Sequence, residues 1–227
     1  MVMQRPRTSL KEIVEKNVSA ARGRGGKPCE VTFWEVDGTP LDKVSKVLRV
    51  DVPRFVRTRL KAGKKVTVLD DGCGYYADAM VKLAEKYPQA VKEGKLELHG
   101  LHISNYPEAK ERVVSGVRIH NATPLDFRRL GIRPDLIIDH CGAIYHASES
   151  PSLRRTYGAA LTDSLAKGGL MALLLAGVNP EQRKLFASVN PKMWNMRGVN
   201  VKLKHVYPAP PGYSLFDSSV FHIIKRF

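Results

Sequence analysis

The chain has 227 residues, of which 43% are hydrophobic and 26% charged, and it carries a formal net charge of +15. This length suits one large domain or one domain with an extension, and the apolar share is enough for a buried core. No apolar run approaches the roughly 18–20 residues that a membrane-crossing helix needs, and the opening MVMQRPRTSLKE lacks a signal-peptide apolar stretch, so the expectation is an intracellular, cytoplasmic protein with no membrane partner.

The three cysteines, Cys29, Cys73 and Cys141, form no CxxC pair, and the histidines include no HExxH spacing. Neither a disulfide framework nor a metal site is therefore expected. The basic excess is spread along the chain. It favours an anionic partner, nucleic acid first, over a solvated basic surface that binds nothing, although charge reports association rather than identity.

In chain order, residues 8–21 read as a short helix with Leu10, Ile13, Val14 and Val18 on one face. The Arg-Gly-Arg-Gly-Gly-Lys run at 22–27 breaks it, as a connector or a phosphate contact. Short strands are expected at Val31–Val36 and Val47–Val50, around an Asp-Gly-Thr-Pro turn at 37–40. Residues 53–62, PRFVRTRLKA, read as a basic amphipathic helix. The expected boundary lies here, between a basic N-terminal extension over 1–52 and a domain over 53–227.

From there strands and helices alternate. Strands are expected at 66–70, 96–103, 117–121, 135–139 and 170–176, and helices at 77–87, 107–115 and 152–167. Segments such as PDLIID and LMALLLA are apolar throughout, as parallel strands covered on both faces should be. The runs 199–207 and 219–225 are joined by a Pro/Gly-rich loop with no helix between them, so they should pair antiparallel.

Within this pattern VTVLDDGCGYYAD, Val66 to Asp78, is the most informative stretch. An apolar strand ends in Asp70 and Asp71, a Gly72-Cys73-Gly74 turn follows, and a helix begins. Glycine permits a tight turn and a close approach of backbone to ligand, and the helix start offers N–H groups to an anion. A carboxylate at the strand end accepts from an amine or a hydroxyl. The arrangement is that of a βαβ unit binding a nucleotide-like ligand.

The ordered set of strands, the Gly-Cys-Gly turn and the terminal hairpin resemble the class I S-adenosylmethionine-dependent methyltransferases over about residues 53–227. The resemblance implies an α/β, Rossmann-like, doubly wound, mostly parallel seven-stranded sheet with a C-terminal antiparallel hairpin. It implies S-adenosylmethionine as cofactor. Asp70, Asp71, Gly72, Cys73 and Gly74 match the acidic, glycine-rich first motif, which lies against the methionine part of that cofactor. Tyr76 stands where the family has its third glycine. His102 stands where an acid usually grips the ribose hydroxyls, and a neutral imidazole accepts one bond and donates one. Asn121 and Ala122 fall where the family reads adenine.

The DLIIDHCGAIY segment, Asp135 to Tyr145, matches the fourth strand, whose end faces methyl group and substrate. Its candidates for a base are His140 first, then Asp139, Tyr145 and His146, against the alternative that each only lines the pocket. Cys141 as a covalent nucleophile lacks the preceding proline of the methyltransferases that act on pyrimidine carbon. No Asn-Pro-Pro-Tyr-type tetrapeptide follows strand four, which lowers base-amino methylation as the reaction.

The expected function is methyl transfer, with RNA favoured as substrate by charge and a protein or small molecule the alternatives. A second class is a non-catalytic methyltransferase-like binding protein in an RNA or ribosomal assembly, motivated by Tyr76 and His102. A nicotinamide oxidoreductase is a third, disfavoured by Tyr76 and the C-terminal hairpin.

Overall fold

The computed structural model describes residues 40–74, 77–102, 111–140, 142, 144, 151–175, 198–207 and 218–226. The expected helix at 8–21, the Arg/Gly run and the strand at 31–36 lie outside them, as do Tyr76, Cys141, Tyr145 and His146.

Among the described residues, two helices precede the sheet. Helix α1, Leu41–Val47, presents Val44 and then Leu48 to the interior. Helix α2, Val52–Lys61, is started by Asp51, whose carboxylate accepts from the Arg54 N–H at 2.9 Å, and by Pro53 in its first turn. Val52 and Val56 are its buried face.

The remaining elements are β1 (Val66–Asp71), α3 (Asp78–Lys86), α4 (Pro88–Lys92), β2 (Leu96–Leu101), β3 (Glu111–Val114), β4 (Val117–His120), α5 (Pro124–Arg129), β5 (Leu136–His140), α6 (Pro151–Ser164), β6 (Leu170–Leu175), β7 (Val199–Tyr207) and β8 (Ser218–Lys225). They build one eight-stranded sheet in the order β3-β4-β2-β1-β5-β6-β8-β7. Strands β4, β2, β1, β5 and β6 run parallel, while β8 and β7 form the expected antiparallel hairpin at one edge.

The eighth strand corrects the expected helix over 107–115. In its described part, Glu111–Val114 pairs antiparallel with β4, Val114 opposite Val117. Ser115 and Gly116 both take positive φ, 50° and 84°, which is the two-residue turn that suits the twist of a hairpin. Gly116 therefore closes a hairpin rather than ending a helix.

Val47–Val50 is not a strand. Val44 and Leu48 are four residues apart, a helical spacing that seats both in the core, and the Val50 N–H closes the helix end onto the Ser45 carbonyl at 3.0 Å. Val44, Leu48 and Val50 share a core with Val66, Val68, Leu83 and Val220. The His222 ring nitrogen donates to the Leu48 carbonyl at 2.8 Å. Residues on both sides of the boundary expected at residue 52 contribute to this core.

A second core covers the other face of the sheet, with Leu69, Leu101, Phe127, Ile137, Leu161 and Phe221. Two histidines are buried at its margin. His99 and His120 sit on neighbouring strands with Nδ1 and Nε2 3.0 Å apart and their rings near-parallel, and Phe127 meets both edge-on. Burial, then the neighbouring His120, pushes His99 down to about 4, so the pair is neutral at pH 7.

An unfolded histidine takes its proton near 6.5, whereas folded His99 refuses it until about 4. Its contribution is therefore present above 6.5 and lost as pH falls toward 4, and amounts to roughly 2–3 kcal/mol. In urea titrations the wild type should lose that much more stability between pH 6.5 and pH 4 than His99→Leu. Parallel pH profiles for the two would contradict the assignment.

Candidate active site

The four neighbouring strands β4, β2, β1 and β5 end at one edge of the sheet, and the residues singled out in the sequence end with them. Asn121 and Ala122 follow β4, His102 follows β2, Asp70 and Asp71 close β1, and Asp139 and His140 close β5. Main-chain bonds hold these ends together. The Gly72 and Cys73 N–H groups both donate to the Leu101 carbonyl at 3.2 Å, and the His102 N–H donates to the His120 carbonyl at 3.0 Å. In open α/β sheets ligands bind outside such carboxyl ends.

The turn after β1 has the backbone its sequence requires. Gly72 and Gly74 adopt φ of 96° and 68°. Ala77, just before α3, is also left-handed at φ 52°, an unusual conformation for a residue with a Cβ. The Cys73 side chain is buried and turned down onto β2, where a Cβ on Gly100 would lie 2.5 Å from its sulfur. Cys73 accordingly fills the space beneath the turn.

Consecutive acids on a strand point to opposite faces. Asp70 shares a face with its neighbour Ile138, while Asp71 stands beside Asp139 on the other. All three carboxyls are buried. Asp139 is wholly enclosed; its Oδ1 accepts from the Gly142 N–H at 2.9 Å, and its Oδ2 has no hydrogen-bond partner among the described residues. Burial, then the Asp71 charge, raises Asp139 well above the usual carboxylate range. The same two causes push Asp70 up to about 8. At neutral pH Asp70 therefore retains a proton that an incoming cation would displace.

His140 is half-buried, and burial followed by the charge of Lys43 lowers it to about 4. It is neutral at pH 7, able to accept a hydrogen bond but a weak base. Lys43 comes from α1, so the charge of this helix bears on the carboxyl edge of the sheet.

Two participants were not singled out in the sequence, Gly142 and Lys43. A Cβ at Gly142 would overlap the Asp71 carbonyl oxygen and lie 2.8 Å from Asp139 Oδ1, so only glycine lets this loop close over the two acids. Two adjacent acids in a strand covered on both faces were the legible signal that one of them must sit beneath the surface. The basic amphipathic helix, α2, is partly committed to contacts within the chain. Arg59 bonds Asp135 at 3.1 Å and the Gly168 carbonyl at 3.1 Å, before β5 and β6 begin, and stacks over Phe55. No group of three or more His, Cys, Asp or Glu among the described residues could hold a metal ion.

No family model matches the chain, and no curated protein matches it. Solved structures do. A 1,6-didemethyltoxoflavin-N1-methyltransferase from Burkholderia thailandensis, solved with 1,6-didemethyltoxoflavin and S-adenosylhomocysteine, is similar at TM-score 0.50 and 14% identity, over 100% of this chain and 94% of that one. The N-methyltransferase NodS from Bradyrhizobium japonicum is similar at TM-score 0.47 and 14% identity, over 82% and 98% of the two chains. A 16S rRNA adenine methyltransferase from Catenulisporales acidiphilia is similar at TM-score 0.45 and 9% identity, over 76% and 90%. The first of these likenesses carries the fold. The chain has the Rossmann-like methyltransferase architecture, a mostly parallel sheet closed by an antiparallel C-terminal hairpin, with β3 as an additional edge strand.

Proposed function

We propose that the protein is an S-adenosylmethionine-dependent methyltransferase. The observation that carries this reading is the buried, proton-holding carboxyl of Asp70 at the end of β1, beside a glycine turn with positive φ. It is the complement of a ligand that carries an ammonium and a sulfonium and that must approach backbone closely. Residues of this chain fit each part of such a cofactor. Asp70 receives the ammonium, and the Gly72-Cys73-Gly74 backbone lies along the methionine part. His102 bonds the ribose, and Asn121 with the Ala122 N–H reads the adenine.

When bound, the cofactor supplies an electrophilic methyl group. The task left to the chain is alignment and exclusion of water. His140, neutral at pH 7, orients the acceptor by a hydrogen bond, and its low basicity suits an acceptor that needs little help in losing a proton. Asp139 lies too deep to touch substrate and positions Asp71 and the Gly142 loop instead. Tyr145 remains a proposed neighbour of the acceptor on the strength of its place in the sequence.

RNA is the favoured acceptor, supported by the net charge of +15. Incubation with methyl-tritiated S-adenosylmethionine and total RNA should give ribonuclease-sensitive label. Cofactor binding without label in RNA, protein or small molecules would instead favour the non-catalytic reading, for which the imidazole of His102 in place of an acid is the specific motive. His102→Ala should weaken cofactor binding by about 1–2 kcal/mol if its ring bonds the ribose, measured by calorimetry. Unchanged affinity would leave His102 structural.

A further inference from the structure

Asp71 and Asp139 stand side by side in the middle of an apolar row. The row crosses the sheet through register partners, from His120 through Leu101, Asp71, Asp139 and Leu173 to Phe221. Leu101, Leu173 and Phe221 belong to the second core, to which α5 and α6 contribute Phe127 and Leu161. The two acids are 1% and 0% exposed. Neighbouring strands lie about 4.8 Å apart, so side chains of register partners on one face meet. The same closeness shows at Gly142, where an added Cβ would crowd both the Asp71 carbonyl oxygen and Asp139 Oδ1.

The two oxygens of Asp139 differ. Oδ1 accepts from the Gly142 N–H at 2.9 Å, whereas Oδ2 is enclosed and has no hydrogen-bond partner among the described residues. Ionised carboxylates only accept hydrogen bonds, so two of them side by side repel. One proton between them makes a short, charge-assisted bond instead. A bare carboxylate oxygen shut away from water is costly, and a hydroxyl with an acceptor beside it is not.

We infer that Asp139 is held as the neutral acid, with its proton on Oδ2 donated to the Asp71 carboxylate, and that this proton joins the ends of β1 and β5. The neutral acid has one oxygen for each neighbour. Oδ1 holds the Gly142 loop, and the Oδ2 hydroxyl holds the end of β1. Asp71 leads directly into Gly72, and Asp139 into His140. The junction therefore fixes the glycine turn relative to the end of β5, and Asp139 is a positioning residue. What it positions, cofactor against acceptor, rests on the methyltransferase reading; the proton itself does not.

The other ionisable groups about the pair are Asp70 on the reverse face of β1, His140 after Asp139, His120 at the end of the row, and Tyr157 of α6 against the second core. Burial lowers both histidines, so they are neutral at pH 7 and bring no positive charge to the pair.

The test is the infrared spectrum of the full chain, with aspartate carrying 13C at Cγ to mark its bands. At pH 7 the difference between wild type and Asp139→Asn should contain a carboxylic-acid C=O band that moves with the label. Asp70 is present in both and cancels. Asp139→Asn should fold, since its amide oxygen accepts from Gly142 and its NH2 donates to Asp71, and should unfold in urea near the wild-type midpoint at pH 7. Asp139→Leu keeps neither bond and should unfold at a clearly lower urea concentration.

An acid that keeps its proton in the folded state stabilises fully below its unfolded value near 3.8 and loses that contribution as pH rises through its folded one. From pH 7 to pH 9.5 the wild type should therefore lose more stability than Asp139→Asn. A side chain that only fills space would give parallel profiles, and that result would overturn the inference. So would a difference spectrum without an acid band, or failure of Asp139→Asn to fold. None of these readings uses S-adenosylmethionine, so absence of cofactor binding would sink the methyltransferase reading and leave the proton in place.

Discussion

Gly142→Ala should cost about 2–3 kcal/mol of stability and abolish binding at the carboxyl edge of the sheet, read by urea titration and by calorimetry with S-adenosylmethionine. The added methyl group has no vacant space, since it would overlap the Asp71 carbonyl oxygen and crowd Asp139 Oδ1. Both neighbours are held, the first by the β1 backbone and the second by full burial, so the loop itself must move. In moving it gives up the Gly142 N–H to Asp139 bond, leaving a buried acid with a second unsatisfied oxygen. Gly131→Ala is the comparison. That glycine has a positive φ, of 71°, which Gly142 does not, but nothing lies within 4 Å of its added Cβ, so it should pay only local backbone strain and leave binding intact. Equal effects at the two positions would show that the close approach at Gly142 is not what matters.

Cofactor binding should release close to one proton at pH 7 and strengthen as pH rises from 6 to 7.5. Asp70 is pushed up to about 8 by burial and by Asp71, so it is mostly protonated in the free protein and must ionise to receive an ammonium. Affinity therefore gains up to tenfold per pH unit over this window, about 1.4 kcal/mol. Asp70→Asn should weaken binding by about 2–3 kcal/mol and flatten the pH dependence, because the amide keeps the shape and loses the titration. In the free protein the sign is opposite. A carboxyl whose folded pKa is raised contributes stability that is complete below its unfolded value near 3.8 and lost as pH rises through about 8. The histidines lowered by burial act the other way, losing stability as pH falls below 6.5. The free protein should accordingly be most stable between about pH 6 and 7.

The parallel body of the fold was readable from periodicity, because strands buried on both faces leave unbroken apolar runs such as Leu136–Ile138 and Leu170–Leu175. The strand ends were readable too, since Asp70, Gly72, Gly74, His102, Asn121 and His140 each close or follow a strand that this pattern had already placed. What escaped was decided by contacts between distant residues. Glu111–Val114 is a strand because β4 offers an open edge and Ser115-Gly116 can turn left-handed, neither of which a helical stop signal distinguishes. Leu41–Val47 is a helix packed onto the core because Leu48 meets His222, 174 residues away. The pairing of Asp71 with Asp139, and with it the need for glycine at 142, depends on the register of β1 against β5, which local sequence does not contain. Asp139 is fully buried for the same reason, and the charge of Lys43, from a segment N-terminal to the expected domain boundary, acts on His140.

The central claim is that the carboxyl edge around Asp70 and the Gly72–Gly74 turn holds S-adenosylmethionine. The most direct measurement is calorimetric titration of the purified full chain with S-adenosylmethionine and S-adenosylhomocysteine in two buffers of different ionisation enthalpy at pH 7. The account predicts micromolar binding of S-adenosylmethionine with about one proton released to the buffer. No binding of either compound would contradict it. The buried carboxyls of β1 and β5 would then be a structural proton-sharing cluster, and the chain a methyltransferase fold without the cofactor.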